Sequence, residues 1–328
     1  MARELDEDDI RIRPGRGSRP RTRERPEHSE AVPAVVVGVD RGRYTCRPDP
    51  WPERLVAAVR GGSMRRTSVV VGDRVALVGD TSGHQGALAR LVRREERTSV
   101  LRRTPDDADP AERPIVANAD ILVIVCAVTD PEPRPGLIDR CLVAAYDGGL
   151  APVLCLTKTD LAAPDAIIEL YRPLGFPVVT TRPDTDLTPL LALLAGRLSV
   201  LFGHSGVGKS SLVNRLVPAA DRAIGEVNAV TGRGRHTSSA AVALRLPGGG
   251  TVIDTPGVRS FGLGAVAPSR VLRAFSDLAA AAEMCEPGCE HLAPSPDCAL
   301  DSAVRDGDAD AARLASLRRL LAARGSAP

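Results

Sequence analysis

The sequence predicts a multidomain chain in which a small β-barrel precedes an α/β domain, and a short helical segment at the end carries a metal knuckle. Three observations predict it. Residues 34–101 hold short Val- and Leu-rich runs separated by glycines and polar turns, without helical period, as closely spaced barrel strands require. From Asp120 onward, continuous apolar runs alternate with helically spaced segments, the pattern of a parallel sheet covered on both faces. Near the end, Cys285, Cys289, His291 and Cys298 cluster between two helical stretches.

Composition excludes several classes. The 328 residues suffice for about two domains at ~150 residues each. Hydrophobic residues at 43% and charged residues at 26% are ordinary globular values, which removes collagen-like, coiled-coil and wholly disordered readings. The longest apolar runs, Ile121–Val128 and Leu187–Ala195, fall far short of the ~18 residues of a membrane span. The acidic start MARELDEDDI lacks the apolar segment of a signal peptide, so a cytoplasmic protein without membrane contact is expected.

Seven cysteines, an odd count, argue against a disulfide framework. Cys126 and Cys155 lie in apolar runs and read as small buried hydrophobes, with Cys46 and Cys141 as structural thiols. Of the 43 basic residues only Lys158 and Lys209 are lysines. A bias toward arginine is tolerated on solvated surfaces but resisted where a compact ammonium is needed, so both lysines are expected at chemical sites.

Residues 1–32 are nearly devoid of apolar side chains, and Arg11–Arg25 carries seven arginines against one glutamate, which reads as a disordered basic arm. Residues 33–103 form the expected N-terminal OB-type β-barrel, with Val71–Val75 as a turn and Arg60, Arg65, Arg66, Arg90, Arg93, Arg94 and Arg97 as a positive, RNA-contacting surface. Residues 104–264 form the central α/β domain, with strands expected at 120–128, 152–157, 177–181 and 198–202 and helices at 137–146, 166–171 and 187–194. Residues 265–328 form the C-terminal helical zinc-knuckle domain, with helical stretches at 268–282 and 309–323.

Gly203-His204-Ser205-Gly206-Val207-Gly208-Lys209-Ser210, followed by Ser211, matches G-x-x-x-x-G-K-[ST] between an apolar strand and a helical stretch. In such a P-loop the backbone amides wrap phosphate oxygens at a helix N-terminus. Lys209 is expected at the β- and γ-phosphates and Ser210 at Mg²⁺. The run Thr251-Val252-Ile253-Asp254-Thr255-Pro256-Gly257 ends a strand on a carboxylate, so Asp254 is a second Mg²⁺ candidate and the Gly257 amide a γ-phosphate donor.

Leu156-Thr157-Lys158-Thr159-Asp160 resembles the guanine motif N-K-x-D with Thr157 in the Asn place. One carboxylate can accept both the N1–H and the N2–H₂ of guanine, whereas adenine offers an acceptor there, so Asp160 is expected to select GTP. Lys158 would cover the base plane, and Thr157, lacking the paired donor and acceptor of an amide, would weaken nucleotide affinity. Thr180 and Thr181 fall where a loop facing the guanine carbonyl belongs. Asp160 precedes Lys209, which precedes Asp254, whereas an ordinary GTPase has the P-loop first and the base-recognition motif late, so the domain reads as a circularly permuted P-loop GTPase domain. Its metal-binding loop would then lead directly into the C-terminal segment.

Cys285, Cys289, His291 and Cys298 supply three thiolates and one imidazole, a tetrahedral set for one Zn²⁺. Four protein ligands leave no open position, so the metal is expected to be structural.

The permuted order, the barrel before it and the Cys/His knuckle after it resemble the small-ribosomal-subunit-dependent GTPase A (RsgA) family of assembly factors over residues 33–300. That resemblance implies hydrolysis of GTP to GDP and phosphate, coupled to late maturation of the small ribosomal subunit, with the subunit and its rRNA as partners of a monomer. It makes Gly232-Arg233-Gly234-Arg235-His236-Thr237 similar to switch I, with Thr237 on Mg²⁺ and Ser238 as runner-up. Gly225–Ser239, with three glycines and no period, reads as the accompanying loop. Val258 stands where Ras-type GTPases carry a water-orienting Gln, which leaves His236 as the candidate to orient water. The alternative is a nucleotide-gated RNA-binding module with little intrinsic turnover. With eight aromatics in the chain, Arg–phosphate contacts are expected to outweigh base stacking.

Overall fold

The computed structural model describes residues 28–103, 113–231, 241–255, 267–292 and 297–324. Most of the basic arm, His236, Thr237, Ser238, Gly257 and Val258 lie outside the described residues. Residues 31–328 cluster as one compact body.

Strands β1 (Val32–Asp40), β2 (Arg43–Pro48), β3 (Val56–Arg60), β4 (Arg74–Gly79) and β5 (Ala89–Arg94) close a five-stranded barrel in the order β1-β2-β3-β5-β4, with β4 returning to β1. The β3–β5 pair is parallel and the other ladders antiparallel. Inward positions follow the period of two: Val36, Cys46, Val56, Ala58, Val75, Leu77, Ala89 and Leu91 are all fully buried. Strands β6 (Val100–Arg103) and β7 (Arg113–Ala117) form a separate two-stranded ladder. The barrel boundary expected at residue 103 therefore falls inside a strand pair.

Beyond it run β8 (Ile121–Ala127), α1 (Pro135–Gly148), β9 (Ala151–Thr157), α2 (Asp165–Tyr171), β10 (Val178–Thr180), α3 (Thr188–Leu194), β11 (Leu198–Phe202), α4 (Lys209–Leu216), α5 (Ala220–Thr231), β12 (Val242–Arg245) and β13 (Thr251–Asp254). The strand order is β10-β9-β8-β11-β13-β12, parallel except for β12, which runs antiparallel to β13. Every residue of β8 is buried, which is why its sequence is a continuous apolar run with no alternation.

The loop expected over Gly225–Ser239 is in fact helical to Thr231. Ala223, Ile224 and Val227 have 3–4 spacing, and Val227 is buried at 4% exposure against the barrel. A Cβ at Gly38 of β1 would come within 2.6 Å of the Val227 side chain, so the helix lies on the barrel because that position is bare. The buried Thr45 hydroxyl donates to Val227 O at 3.2 Å, and Gly38 pairs with Val242 of β12. The segment 232–240 is thus bounded on both sides by elements fastened to the same barrel strand.

The last part of the chain contains α6 (Pro268–Leu272), α7 (Ser276–Ala282), α8 (Ala299–Asp306) and α9 (Ala311–Arg324). The single helix expected at 268–282 is broken at Ala274 and Phe275, because the Phe275 ring turns inward to pack edge-on against Tyr146 at 6.4 Å. Helix α8 has no counterpart in the sequence pattern because only Leu300 and Ala303 of its eight residues are buried. Helix α9 packs on α1, where Arg319 Nε donates to Asp139 Oδ2 at 3.0 Å. The Tyr171 hydroxyl donates to the other oxygen of Asp139 at 3.0 Å. Burial pushes the Asp139 carboxyl up, with Arg319 and Tyr171 opposing.

Candidate nucleotide site and metal knuckle

All parallel strands of the α/β sheet end on one edge, and the candidate residues are the ones that follow those ends. Leu201 of β11 is in register with Asp254 of β13, Phe202 with Ile124, and Ala127 with Thr157. The P-loop, Asp254 and the TKTD loop are neighbours for that reason.

Gly208 caps α4 with φ +86, a left-handed conformation that side chains rarely adopt, and this turn aims the first amides of α4 out of the sheet edge. Val207 of the loop is buried and anchors it, whereas Ser205, Gly206, Ser210 and Ser211 are exposed. The His204 ring nitrogen Nδ1 lies 3.1 Å from Ser205 O. Lys209 Nζ donates to Asp254 Oδ1, a partly buried ion pair that joins the two residues expected at the phosphates and the metal.

Thr157 is the last residue of β9, at the Asn place of the motif. Its buried hydroxyl donates to Val207 O of the P-loop at 2.6 Å, so the residue acts as a strut between the base-recognition loop and the phosphate loop. Lys158, at φ +60, donates to Asp130 O and lies 3.7 Å from Asp130 Oδ2. Asp160 is exposed. Thr181 is buried with its hydroxyl 3.4 Å from Leu156 O, and its own carbonyl accepts from the Thr159 hydroxyl at 3.3 Å, so it holds the TKTD loop to the end of β10.

Two contributors escaped the sequence reading. The buried Thr255 hydroxyl donates to Leu201 O at 2.8 Å and pins the segment after Asp254 to the strand that opens the P-loop. Asp130, three residues beyond β8, faces the Lys158 ammonium. The DTPG run contained the first signal; nothing local marked the second.

On the barrel, Arg65, Arg66, Arg90 and Arg93 are exposed as expected. Arg97 is not part of that surface: Nε and Nη2 hold both oxygens of the fully buried Asp73 at 2.7 and 2.8 Å. Asp73 also accepts from Val70 N, so Arg97 neutralises a structural carboxylate under the Val71–Val75 turn.

In the knuckle, His291 Nδ1 lies 3.7, 3.5 and 3.7 Å from the sulfurs of Cys285, Cys289 and Cys298, and the Cys285 and Cys298 sulfurs are 4.0 Å apart. All four ligand atoms fall within 4.8 Å of one another. Tetrahedral edges about a zinc ion are about 3.6 Å for N–S and 3.8 Å for S–S, so the residues fit that metal. The Ala299 amide donates to Cys285 Sγ at 3.2 Å, and Arg318 Nε donates to His291 O at 3.2 Å while Nη2 holds Asp301 at 2.7 Å. His291 adopts φ +60, a backbone conformation that this arginine bond helps to hold. Cys46, Cys126, Cys141 and Cys155 are free and buried, as the apolar runs around Cys126 and Cys155 implied for those two.

The RsgA GTPase family model matches residues 94–264. A Pseudomonas fluorescens (strain SBW25) protein named small ribosomal subunit biogenesis GTPase RsgA is 40% identical over 264 residues, covering 78% of this chain and 75% of the relative. The chain belongs to the RsgA GTPase family. A Pseudomonas aeruginosa (strain LESB58) relative of the same name is 39% identical, over 78% of this chain and 76% of its own. Among solved structures, YjeQ from Thermotoga maritima is similar with TM-score 0.66 at 24% identity, over 90% of this chain and 99% of that one. YloQ, described as a circularly permuted GTPase, gives TM-score 0.64 at 24% identity over 92% and 97%. The barrel and the permuted α/β sheet are therefore the RsgA fold, and the chain is a GTP hydrolase of that family.

Proposed function

We propose that this chain couples GTP hydrolysis to binding and release of the small ribosomal subunit during its maturation, as a cytoplasmic monomer. The observation that carries the reading is the meeting of the P-loop, Asp254 and the TKTD loop on one sheet edge, with the Thr157 hydroxyl linking the last to the first. No helix among the described residues is long and apolar enough to cross a membrane.

In this reading the Gly203–Ser211 amides cradle the phosphates and Lys209 moves from the Asp254 carboxylate to the β- and γ-phosphate oxygens. Ser210 and Asp254 are the described donors for Mg²⁺, an ion that would neutralise charge on the β- and γ-phosphates. Asp160 accepts from guanine N1–H and N2–H₂, and the Lys158 stem lies along the base. A water attacks the γ-phosphorus; its oxygen forms the new P–O bond, the bond to the β–γ bridging oxygen breaks, and that electron pair leaves on GDP. His236 as orienter of the water, Thr237 as ligand and sensor, and the Gly257 amide rest on the family pattern. The Cys285, Cys289, His291 and Cys298 set holds one structural Zn²⁺, and without an open position it takes no part in the chemistry.

Coupling has a physical route. Of the elements that bound the switch segment, α5 is fastened to β1 and β2 and β12 to β1, so RNA held on the barrel bears on the switch through Gly38 and Thr45. The test is GTP turnover with and without purified small subunits, for wild type and His236→Ala. Intrinsic turnover near ~10⁻⁴ to 10⁻² s⁻¹, strongly stimulated by subunits, is expected. Subunits that leave the wild-type rate unchanged would refute the coupling; full stimulation of His236→Ala would refute only the histidine's role.

A further inference from the structure

A cavity of about 480 Å³ opens between the barrel and the α/β sheet, on the amino-terminal edge of the parallel strands and so opposite the nucleotide site. Four arginines line it, two from the barrel (Arg47 and Arg74) and two from the sheet (Arg197 and Arg245). Neither of its two acids is paired with Arg47 or Arg197 among the described residues. Asp49 is paired with Arg74, and Asp120 accepts the Leu198 amide at 2.7 Å. Arg245 reaches Glu53, whose side chain is 87% exposed, so that pair is weak in solvent.

Arg47 and Arg197 are left over. Neither guanidinium has an ion pair or hydrogen bond among the described residues. Arg47 is half-buried and Arg197 exposed; the pKa of Arg47 is lowered by burial and then by the Arg245 charge, with Glu53 only partly opposing. A half-buried cation that feels a neighbouring cation more strongly than the one acid opposing it has a standing demand for an anion. No aromatic side chain lines the cavity, so a ligand would be held through charge rather than base stacking.

We infer that this cleft is a second anion site, separate from the GTP site, which takes a phosphate group between Arg47 of β2 and Arg197 at the start of β11. Its volume accommodates a nucleotide unit. The phosphate can come from an RNA strand or from a free phosphorylated molecule, and the guanidinium forks serve either. Arg197 directly precedes β11, whose other end opens the P-loop about 17 Å away. A ligand here therefore bridges the barrel and the sheet without touching the nucleotide.

The test uses the full chain saturated with GDP and Mg²⁺, so that the P-loop is filled. Inorganic pyrophosphate is titrated by calorimetry against wild type and Arg47→Gln/Arg197→Gln, with GDP affinity and circular dichroism as controls of folding. One saturable pyrophosphate site per chain, weakened at least tenfold in the double variant with GDP affinity unchanged, is expected. Competition by octauridylate would assign the phosphate to an RNA strand, and its absence to a free molecule. No saturable site in wild type, or equal affinity in the folded double variant, would overturn the inference. If the double variant fails to fold, the same comparison is made with each single variant, and unchanged affinity in both is the overturning result.

Discussion

Replacing Arg319 by methionine should loosen the last helix from α1 of the GTPase domain and make the loss grow with pH. In the folded protein Arg319 Nε holds Asp139 at 3.0 Å, the Asp139 side chain is 4% exposed, and the guanidinium lies 5.2 Å over the Tyr171 ring. A methionine side chain would retain much of the apolar stem but leave the carboxylate buried with only the Tyr171 hydroxyl. Removing one partner of a buried pair costs ~3–5 kcal/mol. Arg319 is itself 30% exposed and its Nη2 is buried without a partner, so the low end, about 3 kcal/mol, applies. That corresponds to amide exchange in α9 about a hundredfold faster when exchange proceeds through local opening.

The sign with pH follows from the same group. Burial already raises the folded carboxyl above its unfolded value while Arg319 lowers it, so the substitution raises it further. Between the unfolded and folded values the native state binds more protons, and stability falls as pH rises through that window. The exchange difference between variant and wild type should therefore be smaller at pH 5 than at pH 8, after correction for intrinsic rates. Asp139→Asn in the same background should recover part of the loss. Equal differences at both pH values, or no recovery, would refute the assignment of the cost to an unpaired buried carboxylate.

Other substitutions test the site. Thr157→Val keeps the shape but removes the donor to Val207 O; an unmet buried carbonyl costs ~1–3 kcal/mol, so GTP affinity should fall about tenfold, and an unchanged dissociation constant would show that the strut is dispensable. Asp160→Asn should shift preference from GTP toward xanthosine triphosphate, whose N2 donor is a carbonyl; equal wild-type affinity for ATP and GTP would dismiss Asp160 as the selector. Elemental analysis of protein purified without chelator should find about one zinc per chain, and Cys289→Ser should destabilise the C-terminal helices while nucleotide binding persists; metal-free protein with the same stability would remove the zinc assignment.

The chain's own order of residues determined much of this protein. Closely spaced Val- and Leu-rich runs in the barrel, unbroken apolar runs in β8 and β9, and the P-loop between β11 and α4 are local features, so they are visible without coordinates. The knuckle is equally local, because its ligands lie within one short stretch and tetrahedral geometry needs little beyond a tight turn. Contacts between distant segments were decided only by tertiary structure. The bond from Thr157 to Val207 O was not legible locally because it spans fifty residues. Arg97 looked like surface charge because the buried Asp73 that claims it sits on another strand connection. Residues 225–231 looked like a loop because their glycine masked a helical face that only the bare surface at Gly38 makes useful. A side chain's partner depends on how strands are ordered in space, and pairing across the sheet is set by the packing of the whole core, a collective property that no single window of sequence contains.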